Sequence, residues 1–380
     1  MKPIFPRIAF AALLIVILLT AFFGMSCEAS PDGELIRIAI SKNAAEVVVD
    51  GESLTAVTPA GAHISAALPA RVRSSGSLLI VDGNAYTKLT FSSPQAVLVN
   101  GKPYRGSVEL IPQYKGVLVV NQLPLESYLI GLINAEISSA WPIEAVKAQA
   151  VIARTFALQR REMRKGALFH MESTVLDQVY HGLQAEDSRA QRAVMDTAGE
   201  VLMYHGEVIQ AFYHSNCGGR TEASENVWGK ALPYLKSVRC DYCLHNPATA
   251  WEQRLSLRVI EERLRQGGHR VIGLNGLRTG PLTSGGRLKY ILAMSSSGQA
   301  RITGDQFRKA LGYGVIKSTN FKMRAVNGDI VFSGMGNGHG VGLCQWGAKQ
   351  RALEGFTYTE ILSYYYPGTE LHKMYNPSER

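Results

Sequence analysis

The chain's 380 residues can bury a substantial core and point to two domains or subdomains rather than one. With 46 % apolar and 19 % charged residues, the composition is that of a globular protein. The formal net charge of +9 comes without a recognisable nucleic-acid motif, so no nucleic acid is expected; anionic cell wall or membrane headgroups are the long-range partners that suit it.

Lys2 and Arg7 precede an apolar run from Ile8 to Met25, and Cys27 follows, which reads as an export signal over residues 1–27 rather than a membrane anchor. Gly24 and Ser26 allow either simple cleavage or lipid modification of Cys27, and the second would attach the protein to the membrane. The run resembles a bacterial lipoprotein signal but lacks the leucine usual three residues before the cysteine. The mature chain is expected on the periplasmic or extracellular side of the cell membrane. From 35 to 120, short runs such as "IRIAI", "EVVVD" and "GVLVVNQL" between Gly, Pro and Ser predict a β-rich N-terminal region.

The period then changes. Leu125, Leu129, Leu132 and Glu136 recur at one helical face over 124–137, so Glu136 points where a core residue belongs. An acid there loses hydration of its charged form and its pKa rises, which prepares a general acid unless Arg154 or Lys147 pairs with it. A second helix is predicted from Pro142 to about Lys165, with small Ala145, Ala148, Ala150, Ala153 and Ala157 suited to a central position. A third runs from Ser188 to Thr197, followed by a hairpin of "EVLMY" and "EVIQAFY" turning at Gly206. Shorter helices are predicted over 255–265 and 304–311, the latter capped by Thr303, and strands over 289–294 and 321–333 with a turn at Asn327 and Gly328.

Four cysteines remain beyond Cys27. Cys240, Cys243 and His245, with Cys217 and His214 upstream, permit a structural zinc site of three sulfurs and one nitrogen; a disulfide including Cys217 is equally permitted, and Cys344 reads as a separate buried small residue. Gly334, Gly336, Gly338, Gly340 and Gly342 alternate through "GMGNGHGVG" before a helix predicted over 343–353, opening the backbone to a ligand around His339. Trp346 and Tyr364, Tyr365 and Tyr366 are candidates for stacking on sugars.

The motifs "NAEISSAWPIEAVKAQAVIARTFAL", "YHSNCGGRTEASENVWG", "GHGVGLCQWGA" and "EILSYYYPGT" together resemble the sporulation stage II protein D and LytB-type amidase enhancer family over about 35–372. The resemblance implies an α+β protein whose β-rich N-terminal region packs with a mixed helical and β catalytic core over 121–372, forming a groove. It further implies a peptidoglycan lytic transglycosylase that acts on glycan strands lacking stem peptides, leaves 1,6-anhydro-muramic acid ends and follows a cell-wall amidase. Glu136 falls on the family's catalytic glutamate and would serve as acid and then base, with no cofactor required. His214, Ser215, Arg220, Glu222, Glu225, His339, Gln345 and Trp346 are the substrate-binding candidates, with Arg220 offered to a muramyl carboxylate; Glu222 and Glu225 would be the second carboxylate of a plain hydrolase. A zinc cluster of some sporulation members is missing, since Glu172, Leu176 and Asp177 stand in its ligand positions. The alternative is a non-enzymatic peptidoglycan-binding enhancer of an amidase.

Overall fold

A computed structural model describes residues 34–174 and 177–376; the signal sequence, Cys27 and Leu176 lie outside them. The chain is mixed α+β, with a β-rich N-terminal region and a core of helices and short sheets.

Strict alternation builds the N-terminal region. In Glu46–Asp50, Val47 and Val49 are fully buried while Val48 is not, as a strand with one face on a core requires. A seven-stranded sheet centred on Leu35–Ala44, Gly116–Pro124 and Ser107–Gln113 and a six-stranded sheet centred on Glu46–Asp50 and Ala70–Ser75 enclose Ile36, Ile38, Val72, Leu79, Phe91 and Val119. The last strand of this region runs to Pro124, four residues past the expected border, because Pro124 and Leu123 pair with Leu35 and Ile36.

Pro124 then starts helix α1 (Leu125–Glu136), and Pro142 starts α2 (Ile143–Met163). Leu125, Leu129 and Leu132 are buried, and α1, α2 and α3 (Ser188–Asp196) complete the same core as the two sheets. Helix α2 touches α1 and α3 on one side; on the other it reaches α7 (Gln345–Leu353) and α8 (Tyr358–Tyr365). Its Ala150, Ala153 and Ala157 face the first core and Ala148, Val151 and Ile152 face a second, so it is buried nearly all round. A guanidinium in its middle, Arg154, is fully buried and held by Glu126 at 2.7 and 2.9 Å and by the carbonyls of Glu200 and Val194.

The hairpin at His205 and Gly206 forms, but "EVIQAFY" divides into Glu207–Val208 and Tyr213–His214, which pair with different partners. The second strand lies parallel to Leu343–Cys344. Between 250 and 335 a third apolar core, with Ile260, Leu264, Ile291, Phe307 and Phe332, sits within two three-stranded antiparallel sheets and helices α5 (Leu257–Gln266) and α6 (Gly304–Leu311). Thr303 and Gln306 form a capping box at α6.

Candidate functional site

Glu136 is the last residue of α1, and its carboxyl lies in a cavity of about 690 Å³ between α1 and α2 on one side and the glycine-rich segment and α6 on the other. Oε1 accepts a hydrogen bond from the backbone of Val179 at 3.2 Å, and the side chains of Tyr213 and Gln345 also reach the carboxyl. The Gln178 amide donates to the Tyr213 hydroxyl at 3.1 Å and accepts from Tyr128 at 3.0 Å, which leaves the Tyr213 proton for Glu136. Neither expected cation pairs with it, because Arg154 is committed to Glu126 and Lys147 to Glu144 and Asp196. Burial therefore wins over these donors, and the Glu136 pKa is raised above its ordinary value.

Two neutral imidazoles stand opposite. His214 Nδ1 lies 3.1 Å from the carbonyl of Val341, which can only accept, so Nδ1 carries the proton and the buried Nε2 is a bare acceptor with no partner. His339 has the other tautomer: its Nδ1 accepts from Val341 N at 3.0 Å, leaving the proton on Nε2. Burial, with His339 and Arg287 adding to it, holds His214 well below the usual histidine value, and burial with Arg308 and Arg287 lowers His339 to about 3. The ring centroids are 5.5 Å apart. The glycines on either side of His339 serve packing of the chain on itself. A Cβ on Gly338 (φ +113°) would lie 2.7 Å from the Cβ of His214, and one on Gly340 (φ +88°) would lie 2.6 Å from the guanidinium of Arg287.

The structure thus brings Glu136, His214, Ser215, His339 and Gln345 around one space. Trp346 lies beside it, its ring 5.1 Å from Trp141 and capped by Lys349 at 4.6 Å. Glu222 and Glu225 line an adjoining cavity of about 350 Å³ that shares Trp228, Asp305, Arg308 and His339 with the first. Glu222 is engaged by Ala223 N, the Asn226 amide and the Thr283 hydroxyl, so it is no second carboxylate across from Glu136. Arg220 is exposed on a short strand paired with Arg239 and lines neither cavity. Tyr365 and Tyr366 are fully buried in the second core and Tyr364 packs on Tyr242 and Arg351, so this run is packing rather than a sugar platform.

Sequence reasoning missed Phe212, Trp228, Arg160, Asp305, Arg308 and Tyr313 in the wall of the main cavity. Trp228 stands in the quoted "SENVWG" and Arg160 in a basic stretch, but Arg308 carries no sequence signal. The positions left by the missing zinc cluster hold ordinary ion pairs, Glu172 with Lys42 and Asp177 with Arg160 and Arg164.

Cys217, Cys240, Cys243 and Cys344 are free, fully buried and gathered with all sulfurs within 4.8 Å of one another. A tetrahedral ion with metal–sulfur bonds of about 2.3 Å needs sulfurs about 3.8 Å apart; Cys217 and Cys243 stand 3.4 Å apart. The four form a plausible structural zinc-type site. Cys344, expected to be separate, takes the place expected for His245. The cause is the tight 3-10 turn Asp241–His245, which places Cys243 three residues after Cys240 on the same side and leaves His245 exposed. Hydrogen bonds from Cys217 and then the other two hold the Cys243 thiol far below its ordinary value, whereas burial pushes Cys344 well above it, and the four cannot all ionise without a cation among them.

Residues 113–204 match the family model described as stage II sporulation protein. The chain is 34 % identical over 284 residues to a protein of Brachyspira hyodysenteriae, covering 74 % of this chain and 76 % of that one. It is 31 % identical over 271 residues to the stage II sporulation protein D of Bacillus amyloliquefaciens, covering 66 % and 75 %. To the amidase enhancer of Bacillus subtilis it is 30 % identical over 331 residues, 74 % of this chain and 46 % of that longer protein. These likenesses correct the expectation of a lytic transglycosylase, and with it the lyase role of Glu136: the relative whose name states an activity is an accessory to another enzyme. A raised carboxyl pKa reports desolvation, and desolvation alone does not distinguish an acid catalyst from a neutral hydrogen-bond donor. Among the described residues no helix is long and apolar enough to cross a membrane, and the family context implies an extracytoplasmic location.

Proposed function

Because the chain belongs to the stage II sporulation protein D and amidase enhancer family, we propose that it is a non-catalytic, peptidoglycan-binding protein that stimulates a cell-wall amidase. The observation that carries this reading is the chemistry of the main cavity. Its inner groups are hydrogen-bonding ones: the Glu136 carboxyl, whose pKa burial raises, an acceptor at His214 Nε2, and the side chains of His339, Tyr213 and Gln345. Such a set suits the hydroxyl and amide groups of an amino-sugar strand, which a groove through this cavity would hold. The exposed Trp228, its ring centroid 4.3 Å from that of Phe212 and tilted by 38°, offers an aromatic face to a sugar ring. Arg160 and Arg308 at the wall suit the carboxylate of a muramic acid. Holding a strand in this way would present its stem peptides to the amidase. Membrane attachment through Cys27 would keep the protein beside the wall.

The test is cosedimentation of the mature chain with purified peptidoglycan. Native protein is expected in the pellet, and Glu136→Gln, which keeps a hydrogen-bonding side chain of the same shape, within about threefold of it; Glu136→Lys should lose at least tenfold. Equal retention of all three would remove the cavity from the binding surface.

A further inference from the structure

Helix α7 begins at Gln345, whose side chain reaches the Glu136 carboxyl, and Lys349 stands one turn further along the same face. Between them Trp346, whose backbone N–H donates to the carbonyl of Ser215 at 3.1 Å, sets its indole against that of Trp141. The two ring centroids are 5.1 Å apart with the planes tilted by 57°, and Lys349 Nζ lies 4.6 Å from the Trp346 ring and 5.1 Å from that of Trp141. All three side chains are half-buried.

Trp141 sits on the turn between α1 and α2, and side-chain bonds fix that turn. Ser139 and Asn134 both donate to the Asp187 carboxylate, at 2.6 and 2.7 Å, and Arg189 donates to the carbonyls of Ser139 and Trp141 at 2.9 and 3.0 Å. The indole is therefore placed before any ligand arrives. Lys349 is the unspent charge beside it, since among the described residues no carboxylate pairs with it. The cations in the wall of the main cavity have other partners: Arg160 is shared with Asp177, and Arg308 donates to the carbonyls of Ile316 and Lys317 at 2.9 Å. Indole faces attract an ammonium group but leave its charge in place, and half-burial removes part of its water. A cation held over aromatic rings complements a ligand that carries an apolar face and a carboxylate on one body.

Resting on the peptidoglycan-binding reading, we propose that Trp141, Trp346 and Lys349 form a second saccharide subsite at the Gln345 end of the cavity and that it selects muramic acid. The C–H face of the sugar lies on indole and its lactyl carboxylate pairs with Lys349. The hydroxyl and amide groups suited to the main cavity are common to both amino sugars of an alternating strand, whereas the lactyl carboxylate belongs to one of them. Lys349 thus sets the register of the strand in the groove. Gln345, which belongs both to the cavity wall and to the first turn of α7, makes the two places continuous, and the net charge of +9 draws an anionic strand toward them.

The experiment titrates the mature chain with two disaccharides that differ only in the lactyl group, N-acetylglucosaminyl-N-acetylmuramic acid and di-N-acetylchitobiose, and with the first after its carboxyl has been converted to an amide. Native protein should prefer the free carboxylate about tenfold over both other probes, as a charge-assisted bond requires. Lys349→Met should bring that preference below twofold and Lys349→Arg should keep most of it, while Trp141→Leu should weaken all three probes alike. Equal affinity of native protein for the three probes, or an undiminished preference in Lys349→Met, would overturn the proposal. So would Lys349→Met that binds the probes as native does but no longer stimulates an amidase, which would make the patch a docking face for that enzyme. The comparison of probes needs only native protein, so a variant that fails to fold leaves the test intact. Cosedimentation with whole peptidoglycan reads the parent proposal separately: a chain that pellets but shows no preference keeps the binding reading and loses the subsite.

Discussion

On one side of the cavity, Glu136 ends a helix whose Leu125, Leu129 and Leu132 are fully or nearly fully buried in the core shared by sheets and helices. On the other, His214 and His339 stand on short extended segments that meet through isolated bridges, close glycine contacts and a loop seated on Glu222. Apolar burial in one shared core holds the first wall, and polar locks between the second and third apolar cores hold the histidines of the second. The first should therefore govern global stability, and the second should be the part that opens, loads and responds to single side chains.

The largest effect that tests this division is at Arg154. Arg154→Met leaves Glu126 buried without its partner and should cost about 3–5 kcal/mol in urea unfolding; a loss below ~1 kcal/mol would mean the first wall does not depend on that pair. Next is Gly338→Ala, where a side chain meets His214 at positive φ. It should cost about 1–3 kcal/mol, and peptidoglycan retention should fall more than stability does, since the change displaces His214 rather than a core.

Smaller effects come from titration. The raised folded pKa of Glu136 means that the native state binds more protons than the unfolded one, so its contribution is fully present below the ordinary value of 4.5 and is lost as pH rises through the folded pKa. Glu136→Gln removes that loss, and its stability relative to native should rise with pH across that window and then level off. His214 and His339 act with the opposite sign: their lowered pKa values favour unfolding as pH falls below 6.5, for His339 down to about 3. Parallel pH profiles for native and Glu136→Gln would contradict the desolvated carboxyl. The smallest effect is at Lys349→Ala, which removes a cation from the Trp141 and Trp346 rings beside the cavity; a change of about 0.5–1 kcal/mol in stability is expected.

The same contrast decides what the sequence could tell. Helices α1 and α2, the Thr303 cap and the Asn327–Gly328 turn are local, and spacing or turn chemistry exposes them. The helix face also singled out Glu136 as an acid turned toward the core, though spacing could not say whether its carboxyl is for catalysis or for binding. Cys344 escaped because it reaches Cys217 across 127 residues through the parallel pairing of Tyr213–His214 with Leu343–Cys344, a register no local pattern carries. Arg308 and Tyr313 escaped for a related reason: the unit between 250 and 335 has its own core, and nothing in its periodicity tells which edge docks on the cavity.

Whether this chain aids an amidase without cutting glycan itself is tested most directly by the rate of stem-peptide release from purified peptidoglycan by a cell-wall amidase, with and without the mature protein. The account predicts a faster rate with native protein, a comparable gain with Glu136→Gln, and no soluble sugar product when the amidase is left out. An unchanged rate, or soluble glycan fragments from native protein alone that vanish with Glu136→Gln, would contradict it.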